Sequence, residues 1–251
     1  IAKPDYADAY QNMGVALQNK GDLEAAINSY EQALIIKPNS FEAYNNMGVA
    51  LHDKGDIDSA IGSYQQAIKI NPDFAEAYNN IGLSMRSKGD LEAAIDSYKK
   101  AIKINPDYAE AYNNIGNALN DKGDIAAAIK SYEQALKIKP DYAEAYNNIG
   151  NALNDKGDIA AAIKSYEQAL KIKPDYAEAY NNMGAALQGR GDVEAAIDSL
   201  KKALKINPDY AEAHNNMGFS LNGKGDLDSA IDSYTKALKI KPDFVGVWNN
   251  L

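Results

Sequence analysis

The chain has 251 residues, with 35 acidic side chains against 26 basic ones and a formal net charge of -9. That balance argues against a general nucleic-acid binder, which needs a basic stripe, and the lack of cysteine rules out disulfides, thiolate zinc sites and cysteine nucleophiles. Two histidines leave little room for a histidine-rich metal centre, and no apolar run approaches the ~18 residues of a membrane span. A folded protein without cofactor or membrane partner is expected, and a cytoplasmic location.

The elements follow from spacing. Residues 1–6 read as the tail of a helical unit, and Pro4, Pro38, Pro72, Pro106, Pro140, Pro174, Pro208 and Pro242 then recur every 34 residues. Glycines keep the same register at Gly14, Gly48, Gly82, Gly116, Gly150, Gly184 and Gly218, as do alanines at Ala26, Ala60, Ala94, Ala128, Ala162, Ala196 and Ala230. A fixed period of this size decides the architecture. Complete repeats occupy 7–40, 41–74, 75–108, 109–142, 143–176, 177–210 and 211–244, and 245–251 begin another. The whole chain, 1–251, is read as one array; 109–142 and 143–176 are identical.

Each repeat reads as two helices, A and B. With positions counted from Ala109 in the repeat 109–142, Asp107 and Glu110 predict a capping box at the start of helix A. Helix A is expected to run to about Lys122, with Gly123 as a left-handed stop. Asp124 is the expected cap of helix B, which carries Ile125, Ala128, Ile129, Tyr132, Ala135 and Leu136 at helical spacing and ends before Pro140. Gly116, Ala128 and Ala135 are small where the two helices must approach closely. One hairpin cannot bury its own apolar face, so neighbours must stack on it.

These residues resemble the tetratricopeptide repeat family. Tyr112, Ile115, Gly116, Leu119, Ala128, Tyr132, Ala135 and Pro140 match the family pattern at positions 4, 7, 8, 11, 20, 24, 27 and 32. Tyr replaces the family's usual Trp at position 4, apart from His214 and Trp248, and Leu200 stands where an aromatic is usual. The resemblance implies an all-α, right-handed α-α superhelix with helix A lining its concave side.

At roughly 100° per residue, positions 2, 5, 6, 9 and 13 fall on one side of helix A and the apolar positions 4, 7, 8 and 11 on the other. Position 6 is Asn12, Asn46, Asn80, Asn114, Asn148, Asn182, Asn216 and Asn250. Position 5 is Gln11, then Asn45, Asn79, Asn113, Asn147, Asn181, Asn215 and Asn249. Asparagine is a poor helix-interior residue, so its pairing wants a reason. A ladder of amides complements a peptide backbone, and the pairs resemble those in the repeat region of the O-GlcNAc transferases. The alternative is that the amides satisfy their own neighbours.

Position 2 is acidic in every complete repeat: Asp8, Glu42, Glu76, Glu110, Glu144, Glu178 and Glu212. It reads either as the capping box or as an acidic rail that attracts basic peptides and repels the acidic tails of heat-shock chaperones. Positions 9, 12 and 13 vary, with Asn117 and Asn151 at position 9 of the central repeats, and are read as tuning specificity or as drift on a solvated face. His52 and His214 lack catalytic partners, and Gly189-Arg190-Gly191 lacks a phosphate loop's strand-to-helix context. His52 through Asp58 misses the calcium-loop spacing.

A non-catalytic scaffold that binds an extended peptide or protein segment is therefore expected. The alternatives are a substrate-recruiting region of a larger, glycosyltransferase-like enzyme and a self-assembling spacer. The open ends, with Trp248 and Leu251, suggest a fragment that can stack end to end.

Overall fold

A computed structural model describes residues 5–244. Trp248 and Leu251, on which the expectation of end-to-end stacking rests, lie outside the described residues, as do the partial repeat 245–251 and residues 1–4. The chain divides into two compact units, Ile1–Asp124 and Ile125–Leu251, and the boundary falls inside the repeat 109–142.

The described elements are helices. The first unit holds α1 (Asp5–Asn19), α2 (Leu23–Ile36), α3 (Phe41–Lys54), α4 (Ile57–Ile70), α5 (Ala75–Ser87), α6 (Leu91–Ile104) and α7 (Ala109–Asp121). The second holds α8 (Ile125–Ile138), α9 (Ala143–Asp155), α10 (Ile159–Ile172), α11 (Ala177–Arg190), α12 (Val193–Ile206), α13 (Ala211–Lys224) and α14 (Leu227–Ile240). Odd-numbered helices are the A helices and even-numbered ones the B helices. Within each unit every A helix packs on the B helix that follows it, and that B helix on the next A helix. Short connections make such neighbours antiparallel.

The inter-helix turn is as the sequence implies. Gly21, Gly55, Gly89, Gly123, Gly157, Gly191 and Gly225 have φ between 81° and 91°, a left-handed conformation that costs a residue with a Cβ and not glycine. The next residue caps helix B. Asp22, Asp56, Asp90, Asp158 and Asp226 each accept from the backbone N–H three residues on. Asp192 makes no such bond and pairs with Arg190 instead.

The capping box at helix A is a correction. At the start of α3 the cap is Ser40, one residue after the expected position, accepting from the Ala43 N–H. The N-cap residues of α5, α7, α9, α11 and α13 are Phe74, Tyr108, Tyr142, Tyr176 and Tyr210, and none makes a side-chain cap bond. Asp107 therefore stands one residue before the N-cap of its helix. At the start of α5, Phe74 sits edge-on against Phe41, with ring centroids 4.9 Å apart, and packs on the apolar cluster shared by α4 and α5.

The hairpin core rests on glycine at position 8 and an aromatic at position 24. Tyr30, Tyr64, Tyr98 and Tyr166 are at most 2% exposed. A Cβ on Gly48 would lie 2.5 Å from Cε1 of Tyr64, and one on Gly218 2.7 Å from Cε1 of Tyr234. Leu200 takes the aromatic's place against Gly184 and is fully buried. Burying a large apolar side chain contributes about 1.5–3 kcal/mol, so the ring at position 24 is a main term in each hairpin's stability.

Candidate functional site

The asparagine pairs sit where adjacent A helices meet. Position 5 is buried: Asn45 is 1% exposed, Asn79 5%, Asn113 6%, Asn147 0% and Asn181 6%. The expectation that position 5 is free to line a groove is corrected for these five residues. About 100° separates neighbouring positions on a helix, and that turn places position 5 against the next A helix. Position 6 stays half-buried in Asn46, Asn80, Asn114, Asn148, Asn182 and Asn216, and Asn12 is exposed.

A directed relay joins the two positions across repeats. Asn80 Nδ2 donates to Asn45 Oδ1 at 2.9 Å, and Asn45 Nδ2 donates to Glu76 Oε1 at 2.9 Å. The second unit repeats it: Asn182 Nδ2 donates to Asn147 Oδ1 at 3.2 Å, and Asn147 Nδ2 to Glu178 Oε1 at 3.1 Å. Asn114 donates to Asn79 Oδ1 at 3.0 Å and Asn216 to Asn181 Oδ1 at 2.9 Å. An ionised carboxylate only accepts, so Glu76 and Glu178 fix the orientation of the amides behind them, whereas Asn181 Nδ2 donates to Asn182 Oδ1 at 3.3 Å. Position 2, read as a cap, is thus an inter-repeat acceptor in Glu76 and Glu178.

A second row of links lies further along helix A. Position 12 reaches position 13 of the following repeat: Gln18 Nε2 donates to Asp53 Oδ2 at 3.0 Å, and Arg86 Nε to Asp121 Oδ2 at 2.6 Å. His52 Nε2 and Ser87 Oγ form the equivalent pair at 3.3 Å. The signal was present in the sequence as correlated identities 35 residues apart. A third row ties the end of helix A to the preceding helix B through Lys54–Glu24 at 3.0 Å, Lys88–Asp58 at 2.6 Å and Lys122–Glu92 at 2.8 Å. Its hydrogen bond to Lys122 holds the Glu92 carboxyl below its ordinary range.

Position 9 looks partly inward. Tyr166 Oη donates to Asn151 Oδ1 at 2.8 Å, whereas Tyr30 Oη reaches position 12 and donates to Gln18 Oε1 at 3.2 Å. Where position 9 is Leu83 or Phe219, the hydroxyls of Tyr98 and Tyr234 are buried and have no hydrogen-bond partner among the described residues. Asn117 is half-buried at the same position. Val15 and Phe219 are 40% and 50% exposed, so this position also brings apolar surface to the helix-A face.

The face carries no metal constellation: among the described residues no group of three or more His, Cys, Asp or Glu is placed to hold an ion. No described helix is long and apolar enough to cross a membrane. His214 is half-buried, with Nε2 2.9 Å from the Pro208 carbonyl oxygen. Shallow clefts recur away from the asparagines, such as one of about 620 Å³ between Pro72, Asp73, Tyr78 and the last turn of α6.

Helix hairpins of fixed length, stacked through a glycine–aromatic core and linked by amide relays, define a helical-repeat protein. A family model described as TPR repeat matches residues 19–55, 50–86, 84–123, 116–157, 150–191 and 189–223. Another, described as tetratricopeptide repeat, matches 211–244. The chain belongs to the tetratricopeptide repeat family.

A search of the curated proteins found no match. Among solved structures, MamA is 31% identical over 64% of this chain and 95% of its own, with a TM-score of 0.57. The Cut9–Hcn1 hetero-tetramer of the APC/C is 19% identical, with a TM-score of 0.79 over 96% of this chain and 48% of its own. YrrB, described as a TPR protein with an unusual peptide-binding site, is 24% identical over 74% of this chain and 96% of its own, with a TM-score of 0.55. The likeness to Cut9–Hcn1 and YrrB is one of fold.

Proposed function

We propose that the chain is a non-catalytic scaffold that holds an extended peptide or protein segment along its helix-A face. The guest is met by position 6 asparagines, Asn12, Asn46, Asn80 and Asn114 in the first unit or Asn148, Asn182 and Asn216 in the second. The supporting observation is that Asn80, Asn114, Asn182 and Asn216 are each held through Nδ2 to the preceding repeat and are half-exposed. A pre-positioned amide loses little freedom when a guest binds. The position 5 asparagines serve instead to hold the row in place.

The asparagine pairs also support a second reading, the substrate-recruiting region of a larger enzyme, through their resemblance to the O-GlcNAc transferases. The same face would do the recruiting. The test is an array of unrelated extended peptides probed with the chain and with a variant carrying Asn46→Ala, Asn80→Ala and Asn114→Ala. Peptides bound by the parent and lost by the variant support the reading. An identical pattern for both proteins overturns it.

A further inference from the structure

The relay has a direction, and the direction limits what the face can recognise. In the first unit, Glu76 accepts from Asn45, Asn45 accepts from Asn80, and Asn80 therefore turns its Oδ1 outward. Asn114, bonded through Nδ2 to Asn79, does the same. Among the described residues no donor is bonded to Oδ1 of Asn80 or Asn114. Each therefore offers its oxygen as an acceptor, while the relay takes one of its two Nδ2 hydrogens.

The charges around this row have one sign. Glu42 and Glu76 are exposed beside it at position 2, one helical turn from Asn46 and Asn80. Asp53 and Asp121 follow at position 13. Positions 2, 5, 6, 9, 12 and 13 of residues 7–124 contain no lysine and one arginine, Arg86, which is bonded to Asp121. Lys54, Lys88 and Lys122 pair with acids of the B helices. Between the rows of links runs an aliphatic stripe, Val15, Val49 and Leu83, none of them fully buried.

We propose that the helix-A face of the first unit takes an extended cationic peptide, read chiefly through its hydrogen-bond donors. Main-chain N–H groups meet the outward Oδ1 atoms. Lysine or arginine side chains lay their stems on the Val49–Leu83 stripe and their charges toward Glu42, Glu76 and Asp53. Helices packed this closely run about 8–10 Å apart, and an extended chain advances about 3.1–3.4 Å per residue. Successive rungs therefore meet every third residue of the guest. The inference rests on the peptide-binding reading above and adds the guest's charge, polarity and period.

The test is fluorescence anisotropy on the full chain with a labelled peptide of about four Lys-Ser-Gly triplets. Comparators are the same peptide with glutamate for lysine, and three forms N-methylated at every lysine, every serine or every glycine amide. The lysine peptide is expected to bind at least about tenfold more tightly than the glutamate peptide. N-methylation of one residue class should weaken binding about tenfold, and of the other two less than about threefold. The charge-neutral Asn46→Ala, Asn80→Ala, Asn114→Ala variant, checked for folding by circular dichroism, should also lose about tenfold.

Equal affinity for the lysine and glutamate peptides, or binding of neither, overturns the proposal. So does indifference to all three N-methylated forms, which leave the protein untouched. Array peptides that are acidic or neutral, yet lost with the asparagines, would sustain the scaffold reading while sinking this one.

Discussion

Asn80 Nδ2 donates to Asn45 Oδ1 across 2.9 Å and 35 residues of sequence. The two amides are chemically the same and play different parts: Asn45 is buried and bonded on both sides, and Asn80 is bonded on one side and half-exposed. The buried amide and the half-exposed one thus differ in what their loss should cost.

This division predicts unequal costs of substitution in the second unit. Asn147→Ala strands the Asn182 Nδ2 and the Glu178 carboxylate and should destabilise the chain by about 1–3 kcal/mol. Asn182→Ala removes the donor to Asn147 and the acceptor of Asn181 Nδ2, both on a half-exposed side chain that water can replace, and should cost about 0.5–1.5 kcal/mol. Urea unfolding of the two variants checks the order, and a larger loss for Asn182→Ala would refute the assignment.

Gly48→Ala puts a Cβ 2.5 Å from the Tyr64 ring, inside a packed core. Overpacking of this kind costs about 1–3 kcal/mol. Thermal unfolding should show a lowered midpoint. Gly62→Ala, where an added Cβ meets nothing within 4 Å, should not lower it.

The core tyrosines separate by partner. Tyr166→Phe deletes a hydroxyl bonded to Asn151 and should cost about 1 kcal/mol. Tyr98→Phe deletes a buried hydroxyl with no partner among the described residues and should leave stability unchanged or raised. Chemical denaturation of the pair reads the difference directly.

Alkaline pH should unfold the chain. Burial, the largest cause in each, raises the hydroxyls of Tyr30, Tyr108 and Tyr210 from 10.0 to about 12, with neighbouring glutamates adding at Tyr108 and Tyr210. The folded state holds these protons more tightly than the unfolded one. The stabilisation is therefore full below pH 10.0 and is lost as pH rises through about 12. Circular dichroism and tyrosinate absorbance should change together across that window; ionisation of these tyrosines without loss of helix would contradict it.

Much of this was readable from local sequence. Gly55 and its counterparts mark the left-handed turn because a Cβ opposes that φ, and Asp56 follows it as a cap because its carboxylate is short enough to reach the helix start. Gly48 opposite Tyr64 and the 34-residue period fix the hairpin and its stacking. Each depends on residues close in the chain or on a strict repeat.

Only the tertiary structure decided which asparagine of each pair is buried, and that Glu76 serves Asn45 and not its own helix start. Both amides lie on one broad side of helix A, and periodicity cannot say where along that arc the next helix will press. The sequence alone determined that amides recur on helix A. The packing of one A helix against the next set their direction at Glu76 and Glu178, because a carboxylate that only accepts orients the amides behind it.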